Sequence, residues 1–110
     1  MIEFLFWEGC PSHERALSML LTEMEKCAVA RDHLRIAEVH TEADARRTRF
    51  IGSPTLRFDG DDLAETGDAA FALDCRIYYL RDGKVSPLPD PDDLADAVAA
   101  YATKHQSEGD

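Results

Sequence analysis

The chain has 110 residues, which suits a single domain, because one domain usually takes roughly 100–200 residues. Its 22 acidic side chains outnumber its 12 lysines and arginines and give a formal charge of −10. Proteins that hold nucleic acid or an anionic membrane surface by electrostatics need a basic face, so we expect neither partner. The odd count of three cysteines does not suit a disulfide scaffold. No export signal is evident, and we expect a reducing, cytoplasmic location.

The first half of the chain is predicted to alternate strands and helices. Residues 2–7 are β-branched and aromatic, as in a strand buried between helices. Pro11 is predicted at the first position of a helix, where its missing N–H costs nothing. The buried stripe predicted for that helix consists of Leu17, Leu20, Leu21, Met24 and Ala28. A second strand follows over 34–39.

A short second helix is predicted to begin at Thr41, because Asp44 follows three residues later, and to end by Gly52. Residues 53–58 then form a third strand, which the Asp59-Gly60 turn signal closes. The acidic stretch 61–74 has no assigned fold beyond one turn of helix at 68–73.

The last part of the chain is predicted to hold one strand and one helix. The strand covers 76–80, and Asp90-Pro91 begins the helix with an N-cap and an N1 proline. The buried face of this helix is predicted to consist of Leu94, Val98, Tyr101 and Ala102. The domain then covers residues 1–105, and 106–110 form a frayed polar tail. This order predicts a small α/β domain whose first two strands lie side by side, with helices on the faces of the sheet.

The motif Trp7-Glu8-Gly9-Cys10-Pro11-Ser12-His13 places a cysteine where the first strand gives way to a helix. Unpaired N–H groups and the helix dipole stabilise a thiolate at that place and lower the pKa of the thiol. His13 is positioned to reach back to the cap, where an imidazole that donates a hydrogen bond would favour the thiolate further. The alternative is a small apolar residue beside a solvated histidine.

Trp7, Cys10 and Pro11, followed later by Gly52-Ser53-Pro54-Thr55, resemble the helix-start motif and the cis-proline loop of the thioredoxin-like superfamily. This resemblance implies a thioredoxin-like fold, with a small mixed sheet flanked by helices in the order βαβαββα. It further implies that Pro54 is cis and that the backbone of Ser53 faces Cys10. Trp7, Pro11, Ser53 and Pro54 would then present the substrate to Cys10.

His13 stands where a dithiol enzyme of this superfamily has its second cysteine, so the motif is a CxxH variant that forms no disulfide of its own. A mixed disulfide on Cys10 needs another thiol to resolve it, either a small external thiol or Cys75. Cys27 is excluded, because at about 1.5 Å per helical residue it lies roughly 25 Å from Cys10, far beyond the limit of about 7 Å for a bridge. The distance of Cys75 stays open.

Three functions remain after these observations. The first is a monothiol thiol–disulfide oxidoreductase or thiol transferase, without a cofactor, that uses Cys10 and His13 on a small-molecule thiol or a protein disulfide. The second is a non-catalytic binding module, since a fold does not determine a function. The third is a soft-metal protein with Cys10 and either His13 or Cys75 as ligands.

Two further histidines and an arginine cluster are interpreted as surface features. His33 and His40 lack the ligand spacing of a zinc site, so we expect no such metal. The cluster precedes the proline loop and either ends the second helix favourably or receives the carboxylates of a small thiol. Its members are Arg46, Arg47 and Arg49.

Overall fold

A four-stranded mixed sheet organises the chain, as seen in a computed structural model that describes residues 1–64 and 71–108. The described α-helices are α1 (His13–Lys26), α2 (Glu42–Thr48) and α3 (Pro91–Glu108). The strands are β1 (Ile2–Phe6), β2 (Leu34–Glu38), β3 (Thr55–Phe58), β4 (Asp61–Asp62), β5 (Tyr78–Tyr79) and β6 (Val85–Ser86). The predicted α/β class is confirmed by this arrangement.

The sheet has the strand order β2-β1-β3-β4. β1 pairs parallel with β2, as the sequence predicts, and antiparallel with β3, while β3 and β4 form a hairpin. Asp59 and Gly60 both have positive φ at its turn, 53° and 89°, which is the twist that two-residue hairpins favour. The antiparallel pairing brings the end of β1 and the start of β3 to the same edge of the sheet.

The predicted strand over 76–80 is wrong in its length and its place. Only Tyr78–Tyr79 is extended as a strand, and it pairs with β6 in a separate two-stranded ribbon. Cys75 forms a β-bridge with Ser53 instead, and the N–H of Arg76 donates to the carbonyl of Ser53, so this N–H is not available to the ribbon. The described order is therefore βαβαββββα, and the predicted βαβαββα is corrected by this ribbon and by β4.

Two cores cover the two faces of the sheet. On one face, α1 and α3 pack over side chains of β1 and β3, with Leu20, Leu56 and Val98 fully buried. On the other face, Phe50 and the short α2 cover Leu5 and Val39. The four residues predicted for the buried face of α3 are all buried.

Helices α2 and α3 each begin directly after a residue whose side chain caps the first N–H groups of the helix. Thr41 Oγ1 accepts from the N–H of Asp44 (3.0 Å), and Asp90 accepts from the N–H groups of Asp92 and Asp93 (2.8 and 3.2 Å). Both caps are where the sequence predicts them. Pro11, by contrast, precedes the N-cap residue Ser12 and is not the first residue of α1.

The end of α1 and the end of α3 also differ from the predicted pattern. α1 ends at Lys26 and Ala28 has φ of 56°, so Ala28 is exposed and lies outside the predicted stripe. α3 continues to Glu108, three residues beyond the predicted domain end. Residues 68–70 of the predicted turn of helix at 68–73 lie outside the described residues, and the prediction is wrong for 71–73, which are not helical. No described helix is long and apolar enough to cross a membrane.

Leu20→Ala tests the larger core. Leu20 of α1 is fully buried in the core that α1 and α3 form with the sheet, so its truncation leaves a cavity and is expected to lower the free energy of unfolding by about 2–5 kcal/mol. Ile36→Ala, at a half-exposed position of the edge strand β2, is the control and should cost less than about 1 kcal/mol. Equal losses for the two variants in urea denaturation would contradict this assignment of the core.

Candidate functional site

Cys10 lies in the tight connection between β1 and α1, and its side chain is completely buried. Its N–H donates to the carbonyl of Trp7 (3.0 Å), which turns the chain from the strand towards the helix. Gly9 allows this turn, because a Cβ atom there would lie 2.4 Å from the indole ring of Trp7. The strand-to-helix transition predicted around Cys10 is present in the structure.

The loop before β3 lies directly against Cys10. The Ser53–Pro54 peptide bond is cis, and both residues are buried. The hydroxyl of Ser53 accepts from the N–H of Trp7 (3.0 Å), and the Cys10 thiol donates to the carbonyl oxygen of Ser53 (3.3 Å). The two motifs that the sequence singles out thus meet at one edge of the sheet.

The backbone of Ser53 is occupied by a third segment, Asp74–Arg76. The N–H of Ser53 donates to the carbonyl of Asp74 (2.8 Å), and the N–H of Arg76 donates to the carbonyl of Ser53 (2.9 Å). Ser53 and Cys75 are therefore partners in a parallel β-bridge. The backbone groups that the resemblance assigns to a substrate are already bonded within the chain.

Arg76 anchors this segment from a buried position. Its guanidinium donates two hydrogen bonds to the carboxylate of Asp62 (2.8 and 2.6 Å) and lies 4.5 Å above the ring of Tyr78. The hydroxyl of Tyr78 in turn donates to the carbonyl of Pro54 (2.5 Å). Arg76 and Tyr78 thus tie the Asp74–Arg76 segment to β4 and to the proline loop.

The surroundings of Cys10 lower its pKa below the ordinary value. Burial opposes ionisation, but hydrogen bonding to the Ser12 hydroxyl, the interaction with the Cys75 thiol, the backbone of Ser12 and the side chain of Ser53 outweigh it. Ser12 Oγ lies 3.6 Å from Cys10 Sγ. The thiol gives up its bond to the Ser53 carbonyl on ionisation, so the remaining donors have to hold the thiolate.

Cys75 is an exposed thiol close enough to Cys10 for the two groups to perturb each other. The hydrogen bond to Cys10, together with burial and the charges of Cys10 and Asp74, raises the pKa of Cys75 to about 11. Cys10 therefore ionises first, and Cys75 stays protonated beside it. The distance of Cys75 was left open by the sequence, and in the structure the β-bridge to Ser53 places Cys75 close enough to Cys10 for the two thiols to interact.

The other predicted site residues surround this centre in different ways. His13 Nδ1 donates to the carbonyl of Cys10 (2.7 Å) and its ring stacks on Phe6 (4.7 Å), so its described bond goes to the backbone and not to the thiol. The groups that lower the pKa of Cys10 do not include His13. Trp7 is half-buried and Pro11 is exposed.

The remaining polar candidates lie away from Cys10. Cys27 caps the end of α1, half-buried against the core. His40 is exposed, but His33, predicted at the surface, is half-buried and bonds the hydroxyl of Tyr101 (2.8 Å). Within residues 1–64 and 71–108, no three histidine, cysteine or acidic side chains are grouped to hold a metal ion.

The arginine cluster lies at the end of α2, as the dipole interpretation expects. Arg46 and Arg47 are in its last turn, and Arg47 pairs with Asp44 (2.6 Å). Arg49 follows the helix in the left-handed region, with φ of 58°. A role in receiving carboxylates stays a prediction.

Sequence reasoning missed three contributors to the site: Ser12, Asp74 and Arg76. Ser12 carried a usable signal, because a serine two residues after a cysteine at a helix start can turn its hydroxyl towards the thiol. Asp74 and Arg76 carried none, since their contacts with Ser53 join distant parts of the chain through backbone groups that every residue has.

No family model matches the chain, and neither a curated protein nor a solved structure shows a significant similarity to it.

Ser12→Ala tests the source of the low pKa of Cys10. Removing the hydroxyl removes the strongest hydrogen bond that favours the thiolate, so the pKa of Cys10 is expected to rise. The measurement is the ultraviolet absorbance of the thiolate against pH, in a chain that carries Cys27→Ala and Cys75→Ser. Ser18→Ala, an exposed position of α1, is the matched control and should leave the titration unchanged. An identical Cys10 titration in both variants would rule out the Ser12 hydroxyl.

Asp62→Ala tests the anchor of the Asp74–Arg76 segment. It leaves the buried Arg76 guanidinium without its partner and is expected to cost about 3–5 kcal/mol of the free energy of unfolding. Asp61→Ala removes the neighbouring exposed carboxylate and should change stability little. If urea denaturation shows equal stabilities for the two variants, Arg76 does not depend on Asp62.

Proposed function

We propose that this chain is a thioredoxin-fold thiol protein that acts as a thiol–disulfide oxidoreductase or thiol transferase, with Cys10 as its essential thiolate. The observation that carries the proposal is the environment of the Cys10 sulfur. It lies at the start of α1, among hydroxyl and thiol groups that lower its pKa, and against the cis Ser53–Pro54 loop.

The fold supports the same interpretation. β1 leads into Cys10 and α1, a parallel strand follows, and the proline loop leads into an antiparallel strand beside β1. This arrangement agrees with the thioredoxin-like resemblance of the two motifs. The ribbon of β5 and β6 departs from the expected order, but it lies outside the four-stranded sheet.

The reaction needs no metal and no cofactor. The Cys10 thiolate attacks one sulfur of a disulfide that is presented to the site, a new disulfide forms on Cys10, and the second sulfur leaves as a thiolate that takes up a proton. A second thiol then attacks the disulfide on Cys10 and returns the sulfur to the thiolate. A pKa below the ordinary value serves both steps, because it increases the thiolate fraction and makes Cys10 a good leaving group.

His13 contributes to this reaction by position. Its ring, stacked on Phe6 and bonded to the carbonyl of Cys10, fixes the backbone from which the thiol projects. The reaction requires reduced thiols, and the cytoplasm is the location that suits it.

Cys10→Ser tests the proposed function directly. Steady-state turnover of oxidised glutathione, with dithiothreitol as the reductant, is expected to fall by at least about 100-fold, because the substituted hydroxyl cannot form the disulfide intermediate. Cys27→Ala is the matched control, since Cys27 lies at the far end of α1, and it should turn over like the parent chain. Parent-like turnover by Cys10→Ser would refute the proposed function.

A further inference from the structure

The strongest further feature is the meeting of two thiols from remote parts of the sequence. Cys10 belongs to the start of α1, and Cys75 lies in an irregular segment before β5. Ser53 brings them together, because its carbonyl accepts the Cys10 thiol while its backbone pairs with the residues on both sides of Cys75. Both thiols are free, and each perturbs the pKa of the other.

The position of Cys75 is fixed by its neighbours. Asp74 and Arg76 bond the N–H and the carbonyl of Ser53, and the Arg76 side chain is held by Asp62 and Tyr78. Close packing adds to this, since Gly52 has φ of 146° and a Cβ atom there would lie 2.9 Å from Cα of Arg76. Cys75 is thus kept beside Cys10 by bonds on both sides of it.

The two sulfurs differ in their access to solvent. The Cys10 residue is fully buried, whereas Cys75 is exposed. An external thiol or disulfide can therefore reach Cys75 more readily than Cys10 in the described conformation. Access, together with leaving-group acidity, decides which sulfur of a disulfide is attacked.

We propose that Cys10 and Cys75 form a reversible intrachain disulfide in which Cys75 exchanges with external thiols and Cys10 is the leaving group. This inference rests on the proposed thiol–disulfide function and adds the second thiol and the order of its steps. It assigns the exchange with external thiols to a cysteine outside the helix-start motif.

The steps balance with a low-molecular-weight thiol as the reductant. Its thiolate attacks Sγ of Cys75, the bond between Cys75 and Cys10 breaks, and the electron pair stays on Cys10 as its thiolate. A second molecule of the thiol attacks the external sulfur of the mixed disulfide, forms the oxidised dimer of the reductant, and releases Cys75, which takes up a proton. The chain is reduced to the dithiol, and the external thiol is oxidised.

The reverse direction uses the same atoms. Cys75 loses its proton to solvent and attacks an external disulfide, which releases one external thiolate. The Cys10 thiolate then attacks Sγ of Cys75, forms the intrachain disulfide and displaces the second external thiolate. The lowered pKa of Cys10 suits it both to attack and to leave in these steps. In the dithiol, the hydrogen bond to Cys10 and the charge of Cys10 raise the pKa of Cys75. Neither interaction remains once the two sulfurs are joined in a disulfide.

The test begins with the full chain carrying Cys27→Ala, so that only the two cysteines of the proposal remain. After oxidation with oxidised glutathione and removal of the excess, digestion is expected to yield a peptide containing Cys10 linked to one containing Cys75. The oxidised chain is then mixed with reduced glutathione, quenched with acid at short times and mapped by mass spectrometry. Glutathione is expected on Cys75, and its appearance mainly on Cys10 would overturn the assignment, as would failure of the two peptides to become linked.

Single substitutions separate this inference from the proposed function. A well-oriented intramolecular thiol has an effective concentration far above that of a thiol in solution, so Cys75→Ser is expected to slow turnover of oxidised glutathione by at least about tenfold. Cys10→Ser is expected to accumulate a stable glutathione adduct on Cys75. If Cys75→Ser turns over like the parent while Cys10→Ser is inactive, the inference fails and the proposed function stands. If Cys10→Ser is fully active, the proposed function itself fails.

Discussion

The backbone pairing of Ser53 with Asp74 and Arg76 is the constraint on which the site depends. These two hydrogen bonds, 2.8 and 2.9 Å long, join the proline loop to a segment that is remote from it in the sequence. The carbonyl of Ser53 also accepts the Cys10 thiol, so one peptide group connects all three segments. The location of Cys75 beside the loop that receives the Cys10 thiol follows from this pairing.

Within the part of the chain that the structure describes, the groups that lower the pKa of Cys10 include no cation. The side chains that lower its pKa, those of Ser12, Cys75 and Ser53, are neutral donors. Arg76 lies close in the sequence to Cys75, but both described hydrogen bonds of its guanidinium go to Asp62. In a buried site, short-range dipoles of this kind act strongly because the local dielectric is low. The Arg76 guanidinium therefore holds the Asp74–Arg76 segment in place, whereas the hydroxyl and thiol groups lower the pKa of Cys10.

The parts of the fold that sequence reasoning predicted are those with local signals. Thr41 and Asp90 cap their helices through neighbours two or three residues away, and the parallel pairing of the first two strands follows from the helical crossover between them. The thioredoxin-like resemblance implied that Ser53 faces Cys10, and the antiparallel pairing of β1 and β3 agrees with this expectation. The pairing of Ser53 with the Cys75 segment could not be predicted, because it uses backbone groups and leaves no pattern of side chains.

The same pairing has a consequence for the kind of disulfide or thiol that the site accepts. An extended peptide that paired with Ser53 would have to replace two existing backbone hydrogen bonds, each with a net value of about 0.5–1.5 kcal/mol, and would displace Cys75 from Cys10. A compound that reacts at the exposed sulfur of Cys75 breaks neither bond and leaves the Arg76 anchor in place. Within the proposed reaction, small thiols are therefore favoured over peptides, because they use the thiol that this pairing leaves exposed and break neither of its backbone hydrogen bonds.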